Sequence, residues 1–413
     1  MAGSAGRIGV ASTGGGRPLK ATITEFQLYA VDLPFKVSFR HAAAVRTSSE
    51  SLFLRVRLDS GAEGWGESLP RAYVSGESRA DDFALLRDAI LPALVGTSFP
   101  SLPEVVSFLE KCDGKAPPEW VPPHTPRSAD WCSVDLALLD VFGRASGEPV
   151  SLGPAGARPT AERALRRYRY SGVVSAGQGW PYAVSLLKMR AFRFPHVKLK
   201  VERDGTLPAA RTARRLLGRR ADLRVDANMA WDVEQALELI GQLGSVGIRS
   251  FEQPIAAGDL AGLARLVAES PGEIMVDEGL TDRDSLRRFI THRACTAANV
   301  RISKCGGLVG AYARCREALD AGLVLQVGCQ VGESSLLSAA HLTLLSALAP
   351  LTPGVRYAEG CFGRHLLRED PVSPLLQLRY GGRPPRPPVG TGLGVRVDQA
   401  MLERWVVEQA RIA

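Results

Sequence analysis

Short apolar segments alternate with helical patterns from about residue 164 onwards, and this alternation constrains the fold more than any other feature of the 413-residue chain. Eight such segments occur, and they read RYRYSGVV, HVKLKV, LRVDAN, IRSFEQP, EIMVDEG, NVRISK, LVLQVGC and RYAEG. Strands that alternate with crossover helices are parallel, and eight of them can close into a cylinder. The pattern therefore predicts an α/β fold with a (β/α)7β or (β/α)8 barrel of the TIM type.

The segments before and after the barrel predict a second unit. Residues 21–150 contain β-rich runs, a hairpin turn at DSGAEG and three helical patterns, which indicate an α+β capping domain. We assign residues 151–370 to the barrel. Residues 371–413 are expected to form a Pro- and Gly-rich return segment that packs on the capping domain and ends in a helix. Residues 1–20 are rich in Gly, Ser and Ala, and a disordered tail is expected there.

Composition and charge narrow the class of protein. The sequence has no run of eighteen apolar residues, so no membrane-spanning helix is expected. The formal charge of +8 comes from dispersed arginines typical of solvated helix faces, so nucleic-acid binding is not expected. The seven cysteines form no C-x-x-C pair. They predict small buried thiols in a reducing cytoplasm rather than a zinc site or disulfides.

A charged residue stands at the end of five successive strand segments. Lys200 ends the second segment, and Asp226, Glu252, Asp277 and Lys304 follow at intervals of 25 to 27 residues. The C-terminal strand ends of such a barrel converge on one mouth, so these side chains are expected to meet there. Three carboxylates that close cannot all stay ionised unless a cation lies among them, and oxygen ligands suit Mg²⁺.

Two lysines of the second segment bear on the chemistry of this mouth. Lys198 and Lys200 lie two residues apart and therefore share one face of the strand, while Asn228 shares a face with Asp226. Crowding by like charge lowers the pKa of a lysine and makes it usable as a general base. A cation on a substrate carboxylate would stabilise the charge that develops as the adjacent proton leaves. Lysines on opposite sides of that carbon predict racemisation or epimerisation, whereas one lysine acting alone would suit cycloisomerisation or loss of a β-leaving group.

These motifs resemble the enolase superfamily, in its muconate-lactonizing-enzyme subgroup. The resemblance covers about residues 21–400 and rests on HVKLKV, LRVDANMAW, FEQP, MVDEGL, RISKCGGL, QVGCQVGESSLLSAAHL, GWGESLPRAYVSGES and GTGLGVRVD. It implies an enolase-like capping domain and barrel, Mg²⁺ as cofactor with Mn²⁺ as a substitute, a small-molecule carboxylate as substrate, and a homo-oligomer.

The resemblance also implies roles for individual residues. The metal ligands would be Asp226, Glu252 and Asp277, and the acid/base pair would be Lys200 and Lys304. The supporting residues would be Lys198, Asn228, Glu278 and Glu359. In such enzymes the capping domain closes over the barrel mouth and sets specificity, so the substrate-binding candidates are Phe39, Arg40, Tyr73 and Val74.

The reaction itself stays open at this point. The first hypothesis is a Mg²⁺-dependent isomerase, either a muconate-type cycloisomerase or a racemase or epimerase of an amino-acid derivative or dipeptide. The alternatives are a lyase on the same enolate, such as a dehydratase or o-succinylbenzoate synthase, and more remotely a non-catalytic binding protein. AEGC stands where related dipeptide epimerases carry Asp-x-Asp. No histidine ends the seventh segment, where the mandelate-racemase branch carries its base.

Overall fold

The computed structural model of the chain describes residues 20–41, 44–123, 128–152, 161–351 and 354–413. The disordered tail expected for residues 1–20 lies outside these ranges, apart from Lys20. The main sheets are an antiparallel sheet built around the N-terminal strands and an eight-stranded parallel sheet. No helix of the described ranges combines the length and the apolar character needed to cross a membrane.

The elements follow one another along the described chain with these bounds. The strands are β1 (Ala21–Val31), β2 (Pro34–His41), β3 (Ala44–Ser48), β4 (Ser51–Leu58), β5 (Glu63–Ser68), β6 (Ser98–Phe99), β7 (Gly172–Ser175), β8 (His196–Lys200), β9 (Asp222–Asp226), β10 (Ser250–Glu252), β11 (Glu273–Val276), β12 (Ala297–Arg301), β13 (Val324–Gly328), β14 (Val355–Ala358), β15 (Val372–Ser373), β16 (Arg396–Val397) and β17 (Val406–Ile412). The α-helices are α1 (Ala72–Ser75), α2 (Arg79–Leu85), α3 (Leu91–Leu94), α4 (Leu102–Cys112), α5 (Ser128–Ser146), α6 (Ala161–Leu165), α7 (Gly179–Ala191), α8 (Thr206–Leu217), α9 (Val233–Ser245), α10 (Leu260–Glu269), α11 (Arg283–Thr291), α12 (Gly307–Asp320), α13 (Ser335–Leu348) and α14 (Gln399–Glu403).

The barrel consists of strands β7 to β14, which pair in sequence order and in parallel. A bridge between Tyr170 and Ala358 joins the first strand to the eighth and closes the cylinder. Helices α7 to α13 form the seven connections between the strands. After the eighth strand, β14, the next α-helix within residues 354–413 is α14, so no barrel helix follows this strand. The eight strand segments predicted from the sequence are therefore confirmed, and the barrel is of the (β/α)7β type.

Local sequence signals explain where several barrel helices begin. The Asp232 side chain accepts a hydrogen bond from the Gln235 backbone at the start of α9, and the Gln235 side chain accepts one from the Asp232 backbone. Asp282 and Ser285 make the same reciprocal pair at the start of α11. Such capping boxes satisfy N–H groups that the first turn of a helix leaves without partners. They fix the direction in which each connection leaves the barrel mouth.

The capping-domain sheet has the strand order β17–β1–β4–β5, and β2 and β3 form a separate two-stranded sheet. The predicted DSGAEG turn joins β4 to β5. The expected C-terminal helix is wrong beyond Glu403, because α14 is short and the chain ends in strand β17, which pairs antiparallel with β1. The free edge of β1 offers backbone partners to an extended segment, and this tertiary pairing outweighs the local helical pattern.

Two buried carboxylates of the N-terminal region join it to barrel helices. Glu67 on β5 accepts hydrogen bonds from the Ser334 N–H at 3.0 Å and from the Leu337 N–H at 3.2 Å, at the start of α13. Asp135 on α5 accepts one from the Leu308 N–H at 2.7 Å, at the start of α12. Burial raises the pKa of each carboxyl to about 8. These hydrogen bonds satisfy N–H groups that the first turns of α12 and α13 leave without partners, and they tie β5 and α5 to the barrel.

The cysteines behave as the sequence predicts. All seven are free thiols; six are buried and Cys112 is half-buried. Burial raises the pKa of Cys295 and of Cys361 to about 12, so these thiols stay protonated at neutral pH. They act as small apolar side chains of the core.

Gly66→Ala is expected to lower the free energy of unfolding by about 1–3 kcal/mol, because a Cβ at this position would overlap the Ser133 carbonyl oxygen of α5. Thermal unfolding followed by circular dichroism would show the loss as a lower Tm. Gly241→Ala is the matched control, since a Cβ there meets no atom within 4 Å in the middle of α9. An unchanged Tm for Gly66→Ala would contradict the close approach of β5 and α5.

Candidate active site

Three buried carboxylates line the barrel mouth on three adjacent strands. Asp226 and Glu252 end β9 and β10 and stand opposite each other in the strand register. Asp277 follows β11, two residues after Met275, which is the register partner of Glu252. All three side chains are fully buried. The fixed spacing in the sequence therefore corresponds to neighbouring positions in space, as expected.

Lys198 lies among these carboxylates and the carboxylate of Glu359, which follows the eighth barrel strand. Its Nζ is 3.2 Å from Glu252 Oε2, 3.3 Å from Asp226 Oδ2 and 2.8 Å from Glu359 Oε2. Burial alone would lower the pKa of Lys198, but the three carboxylates outweigh burial and raise this pKa above its ordinary value. The cost of burying this ammonium group is thus offset by opposite charge on three sides.

Lys200 points to the same face of β8 but reaches further towards solvent. Its Nζ donates hydrogen bonds to Asp226 Oδ2 at 3.0 Å and to Asn228 Oδ1 at 2.8 Å. Burial alone would raise the pKa of Asp226, yet Lys200 and Lys198 hold it well below its usual range. The sequence position of Asn228 suggested that it continues the strand after Asp226, but it does not. Its φ is +44°, and its side chain reaches Lys200 from a turn. Asp226 and Asn228 thus fix the Lys200 amine.

Lys304 approaches the cluster from the opposite flank, after β12. Its Nζ donates hydrogen bonds to Asp277 Oδ1 at 2.8 Å, to the Asp277 carbonyl oxygen at 2.6 Å and to the Asn299 carbonyl oxygen at 3.0 Å. Burial, and then the positive charge of Arg301, lowers the pKa of Lys304 to about 7. The three carboxylates thus have a lysine at each end of their row, Lys200 beside Asp226 and Lys304 beside Asp277.

Two arginines belong to the site, although the sequence reasoning did not single them out. The Arg301 guanidinium pairs with Asp277 and donates to Gln330 Oε1 at 3.0 Å. The buried Arg224 pairs with Glu359, and its guanidinium lies 4.4 Å from the centre of the Tyr357 ring. The sequence position of each arginine could nevertheless have indicated its place in the site. Arg301 closes the strand that leads to Lys304, and Arg224 lies two residues before Asp226 and so shares its face.

Glu359 and Glu278 differ in their partners. Lys198 and Arg224 hold the pKa of Glu359 below its ordinary value against the opposing effect of burial. Glu278 accepts a hydrogen bond from Asn228 Nδ2 at 2.8 Å. Burial, and then the nearby charge of Asp226, raises the pKa of Glu278. Glu359 is therefore a paired anion, whereas Glu278 is a carboxyl whose Oε2 has no hydrogen-bond partner.

The donor set of the mouth fits a hard divalent cation in its chemistry. Asp226, Glu252 and Asp277 offer only oxygen atoms, from three neighbouring strands. In the part of the chain that the structure describes, no three acidic, histidine or cysteine side chains already surround one point as a metal cage. Side chains of the protein itself lie between them instead: Lys198 contacts Asp226 and Glu252, and Arg301 lies 3.9 Å from Glu252 and pairs with Asp277.

A cavity of about 360 Å³ opens beside the cluster and is lined by Lys198, Lys200, Asn228, Arg301 and Glu359. Of the four predicted substrate-binding residues, Tyr73 lines this cavity. Val74 is buried in the capping domain and is not part of the described lining, so its role in substrate binding stays a prediction. The side chains of Phe39 and Arg40 lie outside the described part of the structure. The volume suits a small-molecule ligand.

Comparisons with known proteins agree with this geometry. A family model described as Enolase C-terminal domain-like matches residues 182–401. N-succinyl-L-Arg/Lys racemase of Bacillus cereus is 27% identical over 321 residues, which cover 77% of this chain and 82% of that protein. Muconate cycloisomerase 1-1 of Acinetobacter lwoffii is 28% identical over 391 residues, covering 93% and 96%. The structure of a dipeptide epimerase from Cytophaga hutchinsonii, complexed with Mg and the dipeptide D-Ala-L-Val, has a TM-score of 0.78 at 22% identity, covering 95% of this chain and 100% of that one.

Proposed function

This chain belongs to the enolase superfamily, in its muconate-lactonizing-enzyme subgroup, and we propose that it is a racemase or epimerase that removes and returns the proton α to a substrate carboxylate. The observation that carries the proposal is the position of two lysine amines at opposite ends of the carboxylate row. Lys200 Nζ lies beside Asp226, and Lys304 Nζ lies beside Asp277. A substrate α-carbon between them would face one amine on each side.

Each lysine has a defined task in this reaction. The neutral amine of one lysine accepts the α-proton, and the ammonium group of the other donates a proton to the opposite face of the same carbon. The net result is inversion at that carbon, with one proton taken up by the protein and one released. Both amines are held by at least two hydrogen-bond acceptors, which orients them before the substrate binds.

We propose Asp226, Glu252 and Asp277 as the ligands of Mg²⁺, with Mn²⁺ as a substitute. The support is their purely oxygen donor set on three neighbouring strands. When bound, Mg²⁺ would stabilise the negative charge that the substrate carboxylate gains as the α-proton leaves. Lys198, which contacts Asp226 and Glu252, limits the repulsion between these carboxylates.

The ion pairs of Glu359 narrow the range of possible substrates. Its two oxygens already receive Lys198 and Arg224, so no free carboxylate at this position awaits a substrate ammonium group. A substrate whose nitrogen is acylated, or which has no nitrogen, fits this end of the mouth. We therefore propose N-acylated amino acids before dipeptides with a free amino terminus.

We further propose a small-molecule carboxylate as the substrate, a homo-oligomeric assembly, and the cytoplasm as the compartment. Seven free thiols, six of them buried, support a reducing compartment. The dispersed arginines support neither a nucleic-acid surface nor a membrane-binding surface.

The proposal is tested by exchange of the α-proton. The protein is incubated with Mg²⁺ in heavy water and with a library of N-acyl amino acids, dipeptides, proline derivatives and unsaturated diacids. We expect at least one N-acyl amino acid to gain one deuterium with its formula otherwise unchanged, as read by mass spectrometry. Chiral chromatography should then show inversion of the labelled carbon.

Two outcomes would overturn the proposal. A product that has lost water would make the protein a lyase rather than an isomerase. Absence of exchange across the library, from protein that binds Mg²⁺, would contradict proton abstraction from substrates of these classes. A double variant, Lys200→Ala with Lys304→Ala, serves as the control for exchange that does not depend on the enzyme.

A further inference from the structure

The Tyr170–Ala358 bridge is the one pairing between the first and eighth barrel strands among the described residues, and towards the barrel mouth these strands are not paired. The Ser171 N–H donates to the Ala358 carbonyl oxygen at 2.9 Å, and strand β14 ends at Ala358. Beyond it the chain turns away through Gly360 and Cys361, with φ values of +134° and +52°. Strand β7 continues to Ser175, so the two strands separate above Ser171. We call this opening the seam.

The cavity, whose lining includes Lys198 and Lys200, extends to the seam. It is lined by Val173, which pairs with Lys198 and faces the barrel interior, and also by Gly172, which faces outward. A Cβ on Gly172 would lie 3.0 Å from the Phe194 ring, on the outer side of the wall. One cavity therefore reaches from Lys198 and Lys200 to side chains outside the barrel wall. Glycine at position 172 lets Met189 pack directly against the strand, because a Cβ there would lie 2.5 Å from Met189 Sδ.

The outer part of this space, which we call the side arm, is apolar. Its walls are the side chains of Met189, Phe192, Phe194, Phe362, Leu366 and Leu378. The rings of Phe192 and Phe194 stack with their centres 4.9 Å apart, and Phe192 also meets the His365 ring edge-on at 5.9 Å. Most of these apolar side chains are half-buried, so they retain surface for a ligand. Such walls favour a flat apolar group over a polar one.

The charges around the side arm exclude a cationic group. Lys188 and His365 stand exposed among its lining residues. The one carboxylate among the described lining residues is Glu359, which is paired with Lys198 and Arg224. An ammonium or guanidinium group in the arm would lose water without gaining a free counter-ion.

We propose that the side arm binds an aromatic group of the substrate, so that the substrate class is N-acyl amino acids with an aromatic side chain or acyl group. This inference rests on the proposed function for the carboxylate end of the ligand. It makes Met189, Phe192 and Phe194 specificity-determining residues. They lie on or just after α7, outside the set of strand ends that performs the chemistry.

Binding tests the side arm separately from turnover. Calorimetry with Mg²⁺ and racemic N-acetylphenylalanine, N-acetylalanine and N-acetyllysine avoids heat from isomerisation, because a racemate is already at equilibrium. We expect the Kd for N-acetylphenylalanine to be at least about 10-fold below the other two, as for a group that fills an apolar pocket. Met189→Glu should raise that Kd about 10-fold or more and bring N-acetyllysine closer to it.

Leu187→Glu is the matched control, since Leu187 is 41% exposed on the same helix and does not line the cavity. Met189→Gln provides the same test without a buried charge, should Met189→Glu fail to fold. Equal Kd values for the three racemates, or equal effects of the changes at 187 and 189, would overturn the side arm even if α-proton exchange occurs. Selective binding of N-acetylphenylalanine that Met189→Glu abolishes would support the side arm even if no substrate exchanges its proton.

Discussion

Lys200→Ala and Lys304→Ala are each expected to lower the rate of inversion by about 10²–10⁴-fold, the usual contribution of a positioned acid or base. The reason is geometric. Lys200 Nζ is held by Asp226 and Asn228 on one flank, and Lys304 Nζ by Asp277 and the Asn299 carbonyl on the other. Neither amine can take over the opposite face of the substrate carbon.

Isotope exchange on separate enantiomers gives the sharper measurement. A variant that keeps one lysine should still exchange the α-proton of the enantiomer that this lysine faces, without inverting it. Each single variant is therefore expected to exchange one enantiomer, and the two variants should have opposite preferences. Lys111→Ala, at an exposed position of α4, controls for the loss of a lysine elsewhere. Near wild-type inversion by either catalytic variant, or exchange of both enantiomers, would contradict the two-lysine mechanism.

Much of the barrel and of its chemistry could be predicted because both depend on local, periodic signals. Each strand contributes one short apolar run, and the residue that ends it must face the mouth whatever the details of packing. Lys200, Asp226 and Glu252, which end β8, β9 and β10, could therefore be predicted to lie close together from their spacing alone. Asn228, which was expected to share a strand face with Asp226, instead contacts Lys200 from a turn, since its backbone has left the strand with φ +44°.

The remaining features depend on contacts between distant parts of the chain. Strand β17 forms because it pairs with the free edge of β1, and the sequence of residues 406–412 alone does not indicate this pairing. In the sequence, Arg301 is indistinguishable from the other dispersed arginines. Only the fold shows that it forms an ion pair with Asp277. The seam depends on where the chain turns after Ala358, a backbone property that single residues do not reveal. The sequence also does not show which residue of the Tyr73–Val74 pair lines the cavity; in the structure it is Tyr73.

Glu252→Gln is expected to weaken Mg²⁺ binding by more than about 100-fold, because changes to groups that merely support a ligand already cost about 10- to 100-fold in metal affinity. Glu252 is the middle carboxylate of the row, on the strand between those that lead to Asp226 and Asp277. An amide in its place offers one neutral oxygen where the carboxylate offers an anion. The binding constant is measured by calorimetry with Mg²⁺ and checked by electron paramagnetic resonance with Mn²⁺.

The control for this change is Glu273→Gln, which removes the same charge from the neighbouring strand at the opposite end of the barrel. Glu273 is the first residue of β11, at the end of the strand away from the mouth, and it accepts a hydrogen bond from Ser250 Oγ at 2.8 Å. It should bind Mg²⁺ as the unchanged protein does.

The Tm of the Glu252→Gln variant shows whether it folds. We expect it to fold, because Lys198 still pairs with Asp226 and Glu359 when Glu252 is replaced by a neutral side chain. A folded Glu252→Gln protein with unchanged Mg²⁺ affinity would remove Glu252 from the ligand set. Equal losses in both variants would show that the net charge of the barrel, rather than three particular carboxylates, attracts the cation.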